Sequence, residues 1–175
     1  GNHQETPAKI QSEAANILGA GAFLLTLGGD HYVTWPLLKA HVDKHGPLAL
    51  VQFDAHQDTW DDDGERIDHG SFVGRAAKQG LIDTSKSIQV GIRTHAPEAC
   101  GIRMIYGHEV EDMSAQEIAD AIIEHTGGTP VYLTFDIDCL DPAFAPGTGT
   151  PVAGGPSSAK ALSILRKLGA LDIRG

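Results

Sequence analysis

Residues 48–58 read Leu48-Ala49-Leu50-Val51-Gln52-Phe53-Asp54-Ala55-His56-Gln57-Asp58, an apolar run that passes directly into acidic and histidine residues. The apolar part has the length and composition of a buried β-strand. The same change recurs where Val131–Phe135 leads into Asp136-Ile137-Asp138, and where Ala22–Leu27 leads into Gly28-Gly29-Asp30-His31. In a parallel α/β sheet, ligands bind beyond the carboxyl ends of the strands. We therefore expect the three polar clusters to meet at one edge of such a sheet.

Helical segments alternate with the strand-like runs over the whole chain. An alternation of this kind predicts a three-layer α/β/α domain with a mostly parallel sheet, formed by residues 1–175 as a single domain. A capping box, Ser114-Ala115-Gln116-Glu117, marks the start of one helix. The predicted helices are Thr6–Gly19, Thr34–Gly46, Ser71–Gln79, Ser114–Gly127 and Ser158–Leu168, and the further predicted strands are Ser87–Ile92 and Arg103–Tyr106.

The two ends of the sequence predict a domain that is incomplete on both sides. The start, Gly1–Glu5, is polar, lacks an initiator Met and does not resemble a signal peptide. The end, Leu171–Gly175, reads as the approach to another strand.

Composition excludes some classes of function. The chain has 23 acidic and 13 basic residues and a formal net charge of −10, which argues against nucleic-acid binding. An acidic cleft would concentrate a cationic substrate, although the charge is equally explained by solubility. The two cysteines, Cys100 and Cys139, form no disulfide framework, so we expect a cytoplasmic protein. The most apolar stretch, Phe23–Leu27, is far shorter than the roughly 20 residues of a membrane span.

The spacing of the polar residues predicts a metal site. Asp54, His56 and Asp58 alternate, as do Asp136 and Asp138, and residues two apart point the same way in extended chain. Together with His31 they would place four carboxylates and two imidazoles in one cleft, which requires cations because unpaired buried charge is costly. Two divalent metals would neutralise them and could activate a shared water. Oxygen-rich ligation with some imidazole favours two Mn²⁺, and zinc, iron and cobalt are compatible with it.

The three clusters resemble the signatures of the arginase/agmatinase (ureohydrolase) family. The likeness extends through Asp141–Pro151, and Asp68-His69-Gly70, Gly91–Thr94 and Gly147–Thr150 look most like bacterial agmatinases. The resemblance implies the arginase-like fold, a homo-oligomer, and cleavage of the guanidinium group of agmatine to putrescine and urea by a metal-bridging hydroxide. Putrescine as product would place the reaction in polyamine biosynthesis.

The resemblance also implies roles for individual residues. His31, Asp54, Asp58 and Asp136 would hold one metal, and His56, Asp54, Asp136 and Asp138 the other. His69 is the candidate for proton transfer to the leaving amine, since histidine titrates near neutral pH. The guanidinium-binding Glu of the family has no counterpart here and would lie beyond Gly175. Thr148 and Asp61 are candidates for substrate binding.

Several alternatives stay open at this level. The substrate could be guanidinobutyrate or arginine instead of agmatine; the chain could be a one-zinc deacylase of related fold, or an inactive module. Asp30 either caps the following helix or hydrogen-bonds a ligating histidine. The acidic loop Trp60–Glu65 either attracts an amine or is a solvated surface. Asp141 would order its own loop or orient a ligand.

Overall fold

A computed structural model of the chain describes residues 4–65 and 68–175, so that Gly1–His3 of the polar start lie outside the described residues. Within these ranges the centre is a fully parallel sheet in the order β3-β2-β1-β4. Its strands are β1 (Ala49–Phe53), β2 (Ile88–Ile92), β3 (Arg103–Tyr106) and β4 (Val131–Phe135).

Helices cover both faces of the sheet and form two separate cores. On one face, α1 (Thr6–Gly19), α2 (Thr34–His45) and α3 (Phe72–Lys78) bury residues such as Leu38 and Phe72 against Leu50 of β1. On the other face, α4 (Gly107–Asp112), α5 (Ala115–Thr126) and α6 (Ser158–Leu165) pack Ile122 and Ile164 against Val51. Successive side chains of β1 point to opposite faces, so one strand contributes to both cores. The three-layer prediction is confirmed.

The register of the sheet aligns the carboxyl ends of β1, β2 and β4. Phe53 at the end of β1 pairs with Val90 of β2 and with Phe135 of β4. The ladder continues one step further, because the amide of Asp136 donates to the carbonyl of Phe53 at 2.8 Å and that of Asp54 donates to Val90 at 3.0 Å. Asp54 and Asp136 therefore leave the sheet side by side.

The lack of a side chain at Gly91 lets the segments that follow β1 and β4 pack closely against the end of β2. Gly91 adopts a positive φ of 96° at an irregularity in the pairing of β2 with β3. A Cβ built there would lie 2.9 Å from Cys139 Sγ and 3.1 Å from the carbonyl oxygen of Asp54. Any side chain at this position would push apart the segments that follow β1 and β4.

The predicted helices and most strands are present with boundaries shifted by a few residues, and the capping box of Ser114 and Glu117 forms as expected. Helix α4 was not predicted, because Gly107–Asp112 lacks an apolar period. The strand Ala22–Leu27 is wrong for the described residues, which offer it no pairing partner. Leu24 packs against the core of α1 to α3, whereas Phe23, Leu25 and Leu27 are 61%, 77% and 92% exposed. Near the end of the chain, Ile173 forms an isolated parallel bridge with Val131, as expected for a strand approaching β4.

None of the helices in the described part of the chain is both long and apolar enough to cross a membrane.

Candidate metal centre

Short turns, each opened by an aspartate, carry the polar clusters at the carboxyl edge of the sheet. Asp30 precedes the 3-10 turn His31–Val33, Asp68 precedes His69–Ser71, and Asp136 precedes Ile137–Cys139. In each case one carboxylate oxygen accepts the backbone N–H two residues ahead, at 2.8–2.9 Å. This is the local hydrogen bond that makes aspartate a turn and cap residue. The second oxygens of Asp30 and Asp136 face the histidines His69 and His31.

The first cluster converges for the same reason, and not because its backbone is extended. Asp54 accepts the backbone N–H of His56 at 2.7 Å with Oδ1, which bends the chain directly after β1. Asp58 adopts a left-handed φ of 53°, a conformation that aspartate tolerates better than most residues. Its carbonyl accepts the amides of Val73 and Gly74 at the start of α3. The prediction that an extended backbone brings these side chains together is therefore wrong, although the side chains do meet.

One group of potential ligands surrounds His31. Its Nδ1 lies 3.0 Å from Asp54 Oδ2, 3.1 Å from Asp58 Oδ2 and 3.2 Å from Asp136 Oδ2. Its other nitrogen, Nε2, lies 2.9 Å from the hydroxyl of Thr134 in β4. A proton on Nε2 would let Thr134 accept and leave the Nδ1 lone pair free for a metal. Nδ1 is buried and makes no hydrogen bond among the described residues, as expected for an atom that faces a cation.

A second group shares Asp54 with the first. His56 Nδ1 lies 3.1 Å from Asp138 Oδ2 and 3.4 Å from Asp54 Oδ1. The ligand atoms of His31, Asp54 and Asp58, and likewise those of Asp54, His56 and Asp138, lie within 4.8 Å of one another. Asp54 thus offers one oxygen to each group, which is the arrangement that two neighbouring cations with a bridging carboxylate require.

The electrostatics of both groups favour the binding of positive charge. Burial would lower the pKa of His31, yet Asp136, Asp54 and Asp58 raise it well above its usual range. Asp138 and then Asp54 raise the pKa of His56 to about 10. Burial raises the pKa of Asp58 to about 7, against the opposing effect of His31. Protons on these groups supply the charge that bound metal would supply instead.

Two buried glutamines support the carboxylates, and sequence reasoning missed both. Gln52 in β1 donates from Nε2 to Asp54 Oδ2 at 2.7 Å. Gln89 in β2 donates to Gln52 Oε1 at 2.6 Å and to the carbonyl of Gln57 at 2.7 Å. Both are fully buried, and a polar residue in the middle of each apolar strand was the available signal.

His69 lies at the rim of the same site and is paired with Asp30. Its Nδ1 is 3.0 Å from Asp30 Oδ2, while Asp30 Oδ1 holds the amide of Tyr32. Asp30 thus caps its turn and also binds a histidine. That histidine is His69, and not one of the candidate metal ligands His31 and His56. The pairing with Asp30 raises the pKa of His69.

A cavity of about 1000 Å³ opens over the clusters. His69, Trp60 and Thr148 line it together with His31, Asp54, His56, Asp58, Asp136 and Asp138. Asp61 is exposed and does not belong to this lining. Asp141 orders its own loop, since its oxygens accept the amides of Ala143 and Gly154.

The acidic loop Trp60–Glu65 is only partly a solvated surface. Asp62 points inward and forms a bidentate ion pair with Arg75 of α3, and both side chains are buried. Arg75 also donates to the hydroxyl of Tyr32 at 2.6 Å. One of the loop's carboxylates is therefore committed to a structural pair, while Asp61, Asp63 and Glu65 are exposed.

Comparison with known proteins identifies the family. The model of the Arginase family matches residues 1–175. The chain belongs to the arginase family. An agmatinase of Neisseria meningitidis serogroup C (strain 053442) is 50% identical over 175 residues, which are 100% of this chain and 57% of that protein.

Two solved structures in this family share the fold described above. The crystal structure of a hypothetical agmatinase from Burkholderia thailandensis superposes with a TM-score of 0.98 at 51% identity, covering 99% of this chain and 55% of that one. Proclavaminate amidino hydrolase from Streptomyces clavuligerus gives 0.91 at 41% identity, covering 97% and 58%. The chain spans a little over half the length of these relatives. The arginase-like fold class is confirmed.

Proposed function

We propose that this chain carries the metal centre of a ureohydrolase that cleaves agmatine to putrescine and urea. The observation that carries the proposal is the pair of ligand groups sharing Asp54, with the unbonded Nδ1 of His31 facing three carboxylate oxygens. The agmatinases that match the chain at about half identity support the choice of agmatine.

The residues fit two divalent cations. His31, Asp54 and Asp58 would hold one and His56, Asp54 and Asp138 the other, with Asp136 placed to join through its free oxygen near His31. Oxygen and imidazole donors suit manganese. When bound, such a pair lowers the pKa of a water molecule so that it becomes a nucleophile near neutral pH.

A side chain of this protein would donate the proton that the leaving amine requires. Cleavage of a guanidinium carbon–nitrogen bond releases an amine, which must leave protonated. His69 lines the cavity, and Asp30 at Nδ1 leaves its Nε2 free to carry the transferred proton. The raised pKa of His69 favours the protonated form that a general acid needs.

Substrate recognition follows from charge. The metals would neutralise the clustered carboxylates, and the net charge of −10 of the chain as a whole would favour a cationic substrate over an anionic one. Thr148 lines the cavity and would contact the substrate, and Asp61, exposed on the neighbouring acidic loop, would attract its amine end. We also propose that the enzyme is a cytoplasmic homo-oligomer, as the family resemblance implies.

The test is a substrate panel with urea detection. The manganese-loaded full gene product is given agmatine, guanidinobutyrate and arginine, with the Asp54→Asn variant as control. We expect urea from agmatine at the highest kcat/KM and none from the control. Absence of urea from all three compounds would contradict the proposal, and one zinc per chain would favour the related deacylase chemistry.

A further inference from the structure

Arg93, directly after β2, lies behind the second ligand group and makes an unusual set of hydrogen bonds. In the described part of the chain its guanidinium donates only to main-chain carbonyls, at 2.7–3.3 Å. These carbonyls belong to Gly91, Asp138, Cys139, Leu140, Val152 and Ala153. These hydrogen bonds join the 3-10 turn Ile137–Cys139, called the metal turn below, to the segment that follows the Gly147–Thr150 loop.

The geometry of the turn explains why an arginine is required. The carbonyls of Asp138, Cys139 and Leu140 come from the end of the 3-10 turn and converge on one point, where they have few other donors. Arginine carries five N–H donors in a planar fork, and lysine carries three donors on a single nitrogen. A lysine could bind both segments from its single nitrogen, as Nη2 does with Asp138 and Val152. It could not also replace the hydrogen bonds that Nε and Nη1 make to Gly91, Cys139 and Ala153.

The surrounding glycines show that space is kept for this guanidinium. A Cβ at Gly155 would lie 2.7 Å from the Arg93 Nη2 and 2.5 Å from the carbonyl oxygen of Cys139. A Cβ at Gly107 would lie 3.1 Å from Arg93 Cδ. Side chains at these positions would displace Arg93 or the turn.

Asp138 is held at several atoms besides its carbonyl. Its amide donates to Asp136 Oδ1 at 2.9 Å, its Oδ1 accepts the amide of Ala55 at 3.2 Å, and its Oδ2 accepts the hydroxyl of Thr150 at 3.0 Å. The backbone amide of Arg93 donates to the carbonyl of the same Ala55 at 3.0 Å. Arg93 thus binds the main chain of Asp138, and it also bonds Ala55 and the segment that follows Thr150, the two places that contact the Asp138 carboxylate.

We infer that Arg93 is a positioning residue for the metal held by His56 and Asp138, and that it couples this metal to the loop carrying Thr150. The inference rests on the proposed two-metal function. Arg93 is not one of the candidate ligands and does not belong to the cavity lining; it acts by holding the main chain of Asp138 and of residues 152–153. Removing its fork should weaken the second metal more than the first, because in the described part of the chain the guanidinium bonds the main chain of Asp138 and makes no hydrogen bond to His31, Asp54, Asp58 or Asp136.

The experiment measures manganese affinity by equilibrium dialysis and metal analysis, with no assay of activity. Wild type is expected to bind two ions per chain. Arg93→Lys should bind one ion with wild-type affinity and the other about 10- to 100-fold more weakly, the usual effect of removing a group that supports a ligand. The Asp138→Asn variant identifies the site, since adding Arg93→Lys to it should cause little further loss.

Arg75→Lys is the matched control, because Arg75 is also a buried forked arginine but binds Asp62 and Tyr32 instead of the metal turn. Both of its manganese affinities should stay within about threefold of wild type. Equal affinities for wild type and Arg93→Lys would overturn the inference. If Arg93→Lys does not fold, Thr150→Val tests the same link, and an unchanged second site in that variant would overturn it. A wild-type protein that binds one ion contradicts the two-metal function itself, which separates the two failures.

Discussion

Loading the protein with manganese at a pH of about 7.5 should release protons, although ordinary histidines and aspartates are already deprotonated there. In the metal-free site, His31 has a pKa well above its usual range and His56 has a pKa of about 10. The imidazole of His56 therefore carries a proton at this pH, and the raised pKa of His31 favours its protonated form. A metal needs the lone pair, so each proton must leave when the ion binds.

The number of protons follows from the individual groups. His56 should lose about one proton, because its pKa of about 10 lies well above the working pH. Asp58, whose pKa is about 7, is about one-quarter protonated and adds a fraction. His31 adds to the release because the neighbouring carboxylates raise its pKa. The expected release is therefore more than about one proton for two ions bound.

Isothermal titration calorimetry measures this number directly. The observed binding enthalpy is plotted against the ionisation enthalpy of several buffers, and the slope gives the protons released. His56→Asn should reduce the slope by about one. A slope near zero for wild type would mean that the histidines are neutral in the metal-free site, and the electrostatic reasoning would then be refuted.

Other predictions concern proton transfer and stability. His69→Ala should lower kcat about 10²- to 10⁴-fold without changing the metal content, and a smaller effect on kcat would exclude it as the general acid. Asp30→Asn should lower the pKa of His69, so the alkaline limb of the kcat profile should move to lower pH; an unmoved limb would show that the pair has no role. Arg75→Met strands Asp62 in a buried position and should reduce the free energy of unfolding by about 3–5 kcal/mol in urea melts, whereas a change below about 1 kcal/mol would contradict the pairing. In the metal-free protein, protonated His56 contributes stability that is fully present below a pH of about 6.5 and is lost as the pH rises through about 10. The melting temperature should therefore fall across that range, and a rise would contradict the assignment.

Sequence alone could predict the layers of the fold and the meeting of the polar clusters, because both depend on local pattern. Apolar runs of strand length separated by capped helices suffice to predict a parallel sheet covered on both faces. The strand ends then align through the register of β1 with β2 and β4. The strand predicted at Ala22–Leu27 shows the limit of this reasoning, since composition cannot show whether a neighbouring strand is present.

The details of the site depend on contacts that have no signature in the sequence. The spacing of Asp54 and His56 was interpreted as extended chain, but an aspartate turn produces the same convergence. Nothing in the sequence shows that Asp62 turns inward to Arg75, because that pair joins residues 13 apart through tertiary packing. The carbonyls that bind Arg93 come from two distant segments and are equally invisible in the sequence.

The central claim is that two cations share Asp54, and anomalous diffraction at the manganese edge tests it most directly. Crystals of the manganese-loaded protein should show two peaks, one next to Nδ1 of His31 and the other next to Nδ1 of His56, with the Asp54 carboxylate between them. A single peak, or peaks that do not contact Asp54, would contradict the account.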